Sequence, residues 1–201
     1  MTAGSMGTDW DRGRWRNPPA SVSADGSGLH VSAVQGSDAW RRTSYGFVHD
    51  SAHALLAPFP TDSAVEISFR LDYTEQFDQA GVFLYVSEQT WIKAGVEISD
   101  GEPMVGAVVT HQVSDWSVAP VPEWRNREVT VRVSRAGDAV TIRARVDDEP
   151  FRLVRVAPLD PAAEVSAGPF CCAPTRSGFT ATFTRWMTDS ADASLHPEPA
   201  G

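Results

Sequence analysis

The chain has 201 residues, 42% hydrophobic and 21% charged, which is enough apolar material for one buried core and tight for two. Seventeen basic residues face 26 acidic ones for a formal net charge of -9, and the arginines are scattered, so phosphate-backbone binding and a nucleic-acid partner are excluded. No apolar run reaches the roughly 18 residues of a bilayer span, which excludes an integral membrane helix.

Residues 1–9 are small and polar and read as a disordered N-terminus or a cloning remnant. They contain no apolar signal core, so the expected location is cytoplasmic. Residues 10–188 are expected to form a single β-sandwich domain. Residues 189–201, polar and proline-rich beyond the last tryptophan, are expected to form a mobile tail.

Strand signals recur along the chain. LHVSAV (29–34) and WRRTSYGF (40–47) come first, followed by AVEISFRLDY (64–73), in which Val65, Ile67, Phe69 and Leu71 alternate with Glu66, Ser68, Arg70 and Asp72. This period of two marks a half-buried antiparallel strand. DQAGVFLYV (78–86), TWIKAGVEIS (90–99) and PMVGAVVT (103–110) follow, with Asp100-Gly101 as a turn. Further on, Val129, Val131 and Val133, then Val140, Ile142, Ala144 and Val146, face inward on two strands joined at Gly137-Asp138. PFRLVRV (150–156), AGPFCCA (167–173) and FTATFTRW (179–186) complete the series. One helical turn near Pro158 to Glu164 is compatible with the pattern, and ten to fourteen strands exceed one sheet. The expected fold is all-β, a two-sheet antiparallel sandwich or jelly roll.

Cys171 and Cys172 are the only cysteines. Neighbours on a strand point to opposite faces, so they read as two reduced, partly buried thiols. No metal site and no cofactor is implied: there is no CxxC or HExxH, no P-loop, no dinucleotide fingerprint and no GxSxG. The acidic turns at 100–102 and 147–149 lack the ligand alternation of a calcium loop and read as surface turns.

Between Asp78 and Trp116 the alternation is interrupted. On 90–99, Ile92, Ala94, Val96 and Ile98 form an apolar face, whereas Trp91, Lys93, Gly95 and Glu97 form the other. That second face is either solvated or a ligand surface. Gln79 and Tyr85 on the preceding strand, and Thr110, His111, Ser114, Asp115 and Trp116 after it, can line one groove with it if the strands are neighbours.

The motifs DQAG, WIKAGVE, SDG, VVT and SDW, in this order, resemble the DUF1349 family, concanavalin A-like jelly-roll proteins related to the protein named for regulation of enolase. The resemblance extends to AWRR with YGF (39–47) and to CAPTRSGFTATF (172–183), covering about Trp40 to Phe183. It implies a curved sandwich whose concave face binds ligand, with matched positions Asp78, Gln79, Trp91, Lys93, Glu97, Thr110, Ser114, Asp115 and Trp116. It carries no settled activity. His111 stands where a small amide-like residue is more usual, adding a titratable group.

Two functions fit. In the first, the protein binds a sugar or another polar small molecule, with Trp40, Tyr85, Trp91 and Trp116 against the ring and Asp78, Gln79, Glu97, Thr110, Ser114, Asp115 and His111 at its hydroxyls. In the second it is a hydrolase, isomerase or cyclase in which Glu97 works with Asp115, His111 or Lys93 as acid-base groups. The strand lacks a glucanase-like second carboxylate, since the residue four before Glu97 is Lys93, ~13 Å away along an extended strand. A protein-interaction module or homodimer that buries the exposed aromatics is a third reading.

Overall fold

The computed structural model describes residues 10–196. Sixteen strands follow one another among the described residues. The first eight are β1 (Arg14–Arg16), β2 (Ser21–Asp25), β3 (Gly28–Ser32), β4 (Ala39–Arg41), β5 (Val48–Asp50), β6 (His53–Pro58), β7 (Ser63–Arg70) and β8 (Gln79–Ser87). The second eight are β9 (Thr90–Ser99), β10 (Glu102–His111), β11 (Val113–Pro120), β12 (Glu128–Ala136), β13 (Ala139–Val146), β14 (Arg152–Pro158), β15 (Ser166–Cys172) and β16 (Thr180–Ser190).

Two seven-stranded sheets result, ordered β1-β6-β15-β8-β9-β10-β11 and β14-β13-β12-β7-β16-β3-β2, with β4 and β5 paired apart as a small hairpin. The strand pairings are antiparallel. The all-β sandwich expected from the period of two is the fold that forms.

The core lies between the sheets. Val65, Ile67, Phe69, Val131 and Ile142 of the second sheet meet Val82, Leu84, Ile92, Ala94, Val96 and Ile98 of the first in one buried cluster. Each such side chain contributes about 1.5–3 kcal/mol when withdrawn from water. On β13 the burial alternates residue by residue, because its other face meets solvent.

Turn chemistry fixes register. Asp100 and Gly101 both take positive φ, 54° and 82°, the two-residue hairpin geometry that pairs Ser99 with Glu102. Gly137, at φ +57°, does the same between Ala136 and Ala139.

The first sheet departs from the simple pattern in carrying apolar clusters on both faces. Its outer face buries Trp40, Phe83, Trp91, Val108, Phe170 and Cys172 together. The first six residues of β8, Gln79 to Leu84, are therefore all buried, which is why the alternation fades there. Cys171 points into the main core and Cys172 into the outer cluster. Both are free and buried, and burial pushes both thiols up.

Three expectations are corrected. Segment 40–47 is not one strand: Arg42 and Ser44 take positive φ, at 63° and 65°, so the chain turns and returns as β5. The domain does not stop at 188, because β16 continues to Ser190 and Asp192 is held by Arg132 and Arg143. The single turn expected near Pro158 to Glu164 is present, with Ala163 N donating to the Asp160 carbonyl at 3.1 Å, but it is not helical, and short 3-10 turns occur instead at Trp10–Arg12 and Pro122–Trp124. The readings for residues 1–9 and 197–201 lie outside the described residues. Among the described residues no helix is long and apolar enough to cross a membrane.

Candidate functional site

The outer face of the first sheet bears a pocket of about 340 Å³. Its floor is laid by neighbouring strands, each giving the side chains of one parity, Gln79 from β8, Lys93 and Glu97 from β9 and Val108 from β10, and Trp116 of β11, on the same face, rises beside it as a wall. Between Lys93 and Glu97 the floor drops at Gly95, which lies in register with Gly81 and Gly106. A Cβ at Gly95 would stand 2.1 Å from the Ala80 carbonyl oxygen, so the close approach of β8 and β9 requires glycine.

The wall comes from the β4-β5 hairpin, which sets Trp40, Tyr45, Phe47 and His49 around the opening, with Asp38 at its entry. Trp40 meets Trp116 edge-on at 6.4 Å and Tyr45 at 5.7 Å, while Tyr45 stacks on Phe47 at 5.3 Å. The hairpin is pinned at its base. Arg41 N donates to Ser114 Oγ at 2.9 Å, Ser114 and Thr110 share a hydroxyl hydrogen bond of 2.9 Å, and Arg16 pairs with Asp50 at 2.7 Å. Trp40 Nε1 donates to the Thr43 carbonyl at 2.9 Å, which closes the turn onto itself.

Charge is concentrated at the floor. Lys93 Nζ lies 3.0 Å from Asp38 Oδ1, which also accepts the Ala39 backbone N–H at 2.7 Å. Burial alone would lower Lys93, but Asp38, Cys172 and Glu97 outweigh it and the ammonium is held above its ordinary range. Gln79 Nε2 donates to Glu97 Oε2 at 3.0 Å. Burial raises Glu97 to about 7, with Lys93 opposing the shift and Asp38 reinforcing it. A carboxyl that exchanges its proton near neutrality therefore stands beside an ion pair.

Of the residues singled out in the sequence, Gln79, Lys93, Glu97, Trp40 and Trp116 meet in this pocket. Trp91 does not: it is 1% exposed, stacked on Phe83 at 5.5 Å in the outer cluster, because the sheet face on which it stands is covered. Tyr85 packs at the margin of the same cluster under the Arg16 guanidinium, 4.4 Å from its ring. Thr110 and Ser114 are buried supports of the hairpin. Asp78 is buried against Arg176, whose Nε donates to it at 2.8 Å, and it fixes the backbone between the pocket residues Phe77 and Gln79.

Asp115 and His111 do not join Glu97. Asp115 pairs with Val109, a core position, so its side chain leaves the sheet on the face opposite Trp116 and meets Arg155 of β14 at 2.8 Å. His111 shares that opposite parity and is exposed at the strand end. The period of two separates them from the pocket face.

Asp38, His49, Phe77 and Thr175 complete the pocket without having stood out in the sequence. They sit in irregular segments or a three-residue strand, where no periodicity assigns a face. Two quoted motifs reach the pocket all the same: YGF brings Tyr45 and Phe47, and CAPTRSGFTATF contains Thr175 without singling it out. Among the described residues no three His, Cys, Asp or Glu side chains converge as a metal set.

Comparison with known proteins places this geometry. The family model DUF1349, described as a protein of unknown function, matches residues 15–191. "Regulation of enolase protein 1" of Saccharomyces cerevisiae is 33% identical over 193 residues, 96% of this chain and 97% of the relative. A crystal structure of a functionally unknown protein from Saccharomyces cerevisiae superposes with a TM-score of 0.86 at 32% identity, covering 92% of this chain and all of the other. Xylan beta-1,4-xylosidase from Bacillus halodurans superposes with a TM-score of 0.63 at 14% identity, over 81% of this chain and 33% of the enzyme, which shows a shared fold.

Proposed function

The chain belongs to the DUF1349 family, and from its pocket we propose that it binds a neutral carbohydrate, or a similarly polar neutral small molecule, beneath the β4-β5 hairpin. The observation that carries this reading is the facing of aromatic walls, Trp40, Tyr45, Phe47 and Trp116, against a floor of hydrogen-bonding groups whose charges are satisfied internally.

Ligand charge is selected by exclusion. A cationic ligand would meet the buried Lys93 ammonium, and an anionic one would meet Asp38 and Glu97. A polyhydroxylated ring meets neither penalty. Its apolar face fits an exposed indole or phenol, and its hydroxyls can both donate to Asp38 and Glu97 and accept from Lys93 and Gln79. The likeness to part of a xylosidase is one of fold, so the reading stands on the pocket.

Isothermal titration against a panel of mono- and disaccharides is the test. At least one sugar is expected to bind, and Trp116→Ala is expected to weaken it by about tenfold, or 1.4 kcal/mol. A panel without a binder, or binding indifferent to Trp116 and Tyr45 replacement, overturns the reading.

A further inference from the structure

Two carboxyl groups open into the pocket, and each is half used. Asp38 Oδ1 accepts from Lys93 and Ala39, while Oδ2 has no protein partner among the described residues. Glu97 Oε2 accepts from Gln79, while Oε1 likewise has no protein partner among the described residues. Each carboxyl is thus oriented by one oxygen and offers the other, and the two, both in the pocket lining, sense each other electrostatically. Asp38 replaces the Asp115 and His111 that the strand pattern suggested as partners for Glu97.

Resting on the carbohydrate reading, we infer that the pocket is catalytic: Asp38 and Glu97 act as a base and acid pair that interconverts the α and β anomers of a free aldopyranose. The reaction suits the site. A cavity of about 340 Å³ has room for one sugar ring. Anomer exchange consumes no water, metal, reductant or co-substrate, only two positioned proton transfers.

The atoms balance as follows. The Asp38 carboxylate takes the proton from the hydroxyl on the anomeric carbon, and the released pair forms the C1=O double bond. The bond from C1 to the ring oxygen breaks, and its electron pair takes the proton from the Glu97 carboxylic acid. The open-chain aldehyde turns about C1–C2 to present its other face. The Glu97 carboxylate then takes back the proton from the hydroxyl as that oxygen attacks C1, and the carbonyl pair takes the proton from Asp38. Sugar and protein return to their starting protonation with C1 inverted.

Lys93 is a positioning residue that holds the Asp38 carboxylate over the floor. Glu97, which exchanges its proton near neutrality, can serve in both directions.

The test uses the full chain with D-glucose, D-galactose, D-mannose, D-xylose and L-arabinose, following exchange between the two anomeric H1 resonances by NMR in a buffer free of phosphate. The intact protein is expected to speed exchange of at least one of these sugars over buffer alone. Glu97→Gln, which keeps shape and can still accept from Gln79, is expected to lose about 100-fold of that acceleration at saturating sugar. Asp38→Asn should lose it as well. Binding without acceleration overturns the catalytic inference and leaves the binding reading standing. Acceleration that survives both substitutions also overturns it. If no sugar binds and none is accelerated, both readings fall.

Discussion

Lys93, in the middle of β9, reaches from the sheet to Asp38 at the entrance of the β4-β5 hairpin, with Nζ and Oδ1 3.0 Å apart and the lysine side chain only 6% exposed. The contact joins residues 55 apart in the sequence and ties the pocket wall to its floor. Removing one partner strands a charge, so Lys93→Met should cost about 3 kcal/mol, at the low end for a buried pair because Asp38 keeps some solvent contact. Asp38→Asn should cost a similar amount, since it leaves an ammonium without its counter-charge. The double variant should lose clearly less than the sum in urea titrations. Strict additivity would mean that the two groups are not coupled.

Glu97 makes stability depend on pH in the direction opposite to an ordinary paired carboxylate. Burial raises it from 4.5 to about 7 in the folded protein, so between those values the folded state binds more protons than the unfolded one. Its contribution is fully present below about pH 4.5 and is lost as pH rises through 7, amounting to about 3 kcal/mol at most. Glu97→Gln removes the effect. The variant should match the wild type near pH 5 and exceed it in urea midpoint at pH 8. Equal differences at both pH values would contradict the assignment.

How much of this was readable in the sequence differs by element. The alternation of β7, β12 and β13 announces the sandwich because apolar and polar side chains take turns along each, although only on β13 does burial follow the same period, the outward Ser68, Thr130 and Ser134 of β7 and β12 being buried as well. β9 announces Lys93 and Glu97 as sharing one face, which holds. It does not reveal that Trp91 is shut away, because the cover comes from β8 and β15, in Phe83 and Phe170, and from the separate hairpin. Tyr45 and Phe47 lie where the backbone turns repeatedly, with positive φ at Arg42, Ser44 and Gly46, and Asp38 and His49 lie just before and on strands of only three residues. No period exists there to place a side chain, and only a long-range contact such as that to Lys93 does so.

The two tryptophans on that face should therefore separate folding from binding. Trp91→Ala opens a cavity beside Phe83 and is expected to cost about 3–5 kcal/mol, visible as a large fall in the urea midpoint. Trp116 is 39% exposed at the pocket mouth, so Trp116→Ala should cost about 1 kcal/mol or less in stability and act on ligand affinity instead. Equal destabilisation by the two would remove the distinction between cluster and pocket wall.

Just beyond β16 the chain is fastened at Asp192. Asp192 accepts from Arg132 Nε at 2.9 Å and pairs with Arg143, its backbone N–H donates to Ser134 Oγ at 2.8 Å, and Arg132 is also held by Glu66 at 2.9 Å. Shared arginines and low exposure make this network worth more than an isolated surface pair. Asp192→Ala should cost about 1–2 kcal/mol. Asp189→Ala is the control: its carboxylate is 63% exposed and 3.6 Å from the same Arg132, so its loss should stay within about 0.5 kcal/mol. Chemical denaturation of the two variants distinguishes a clamp specific to Asp192 from a general effect of removing negative charge, because both remove one carboxylate beside the same Arg132 and only one of them removes the anchor.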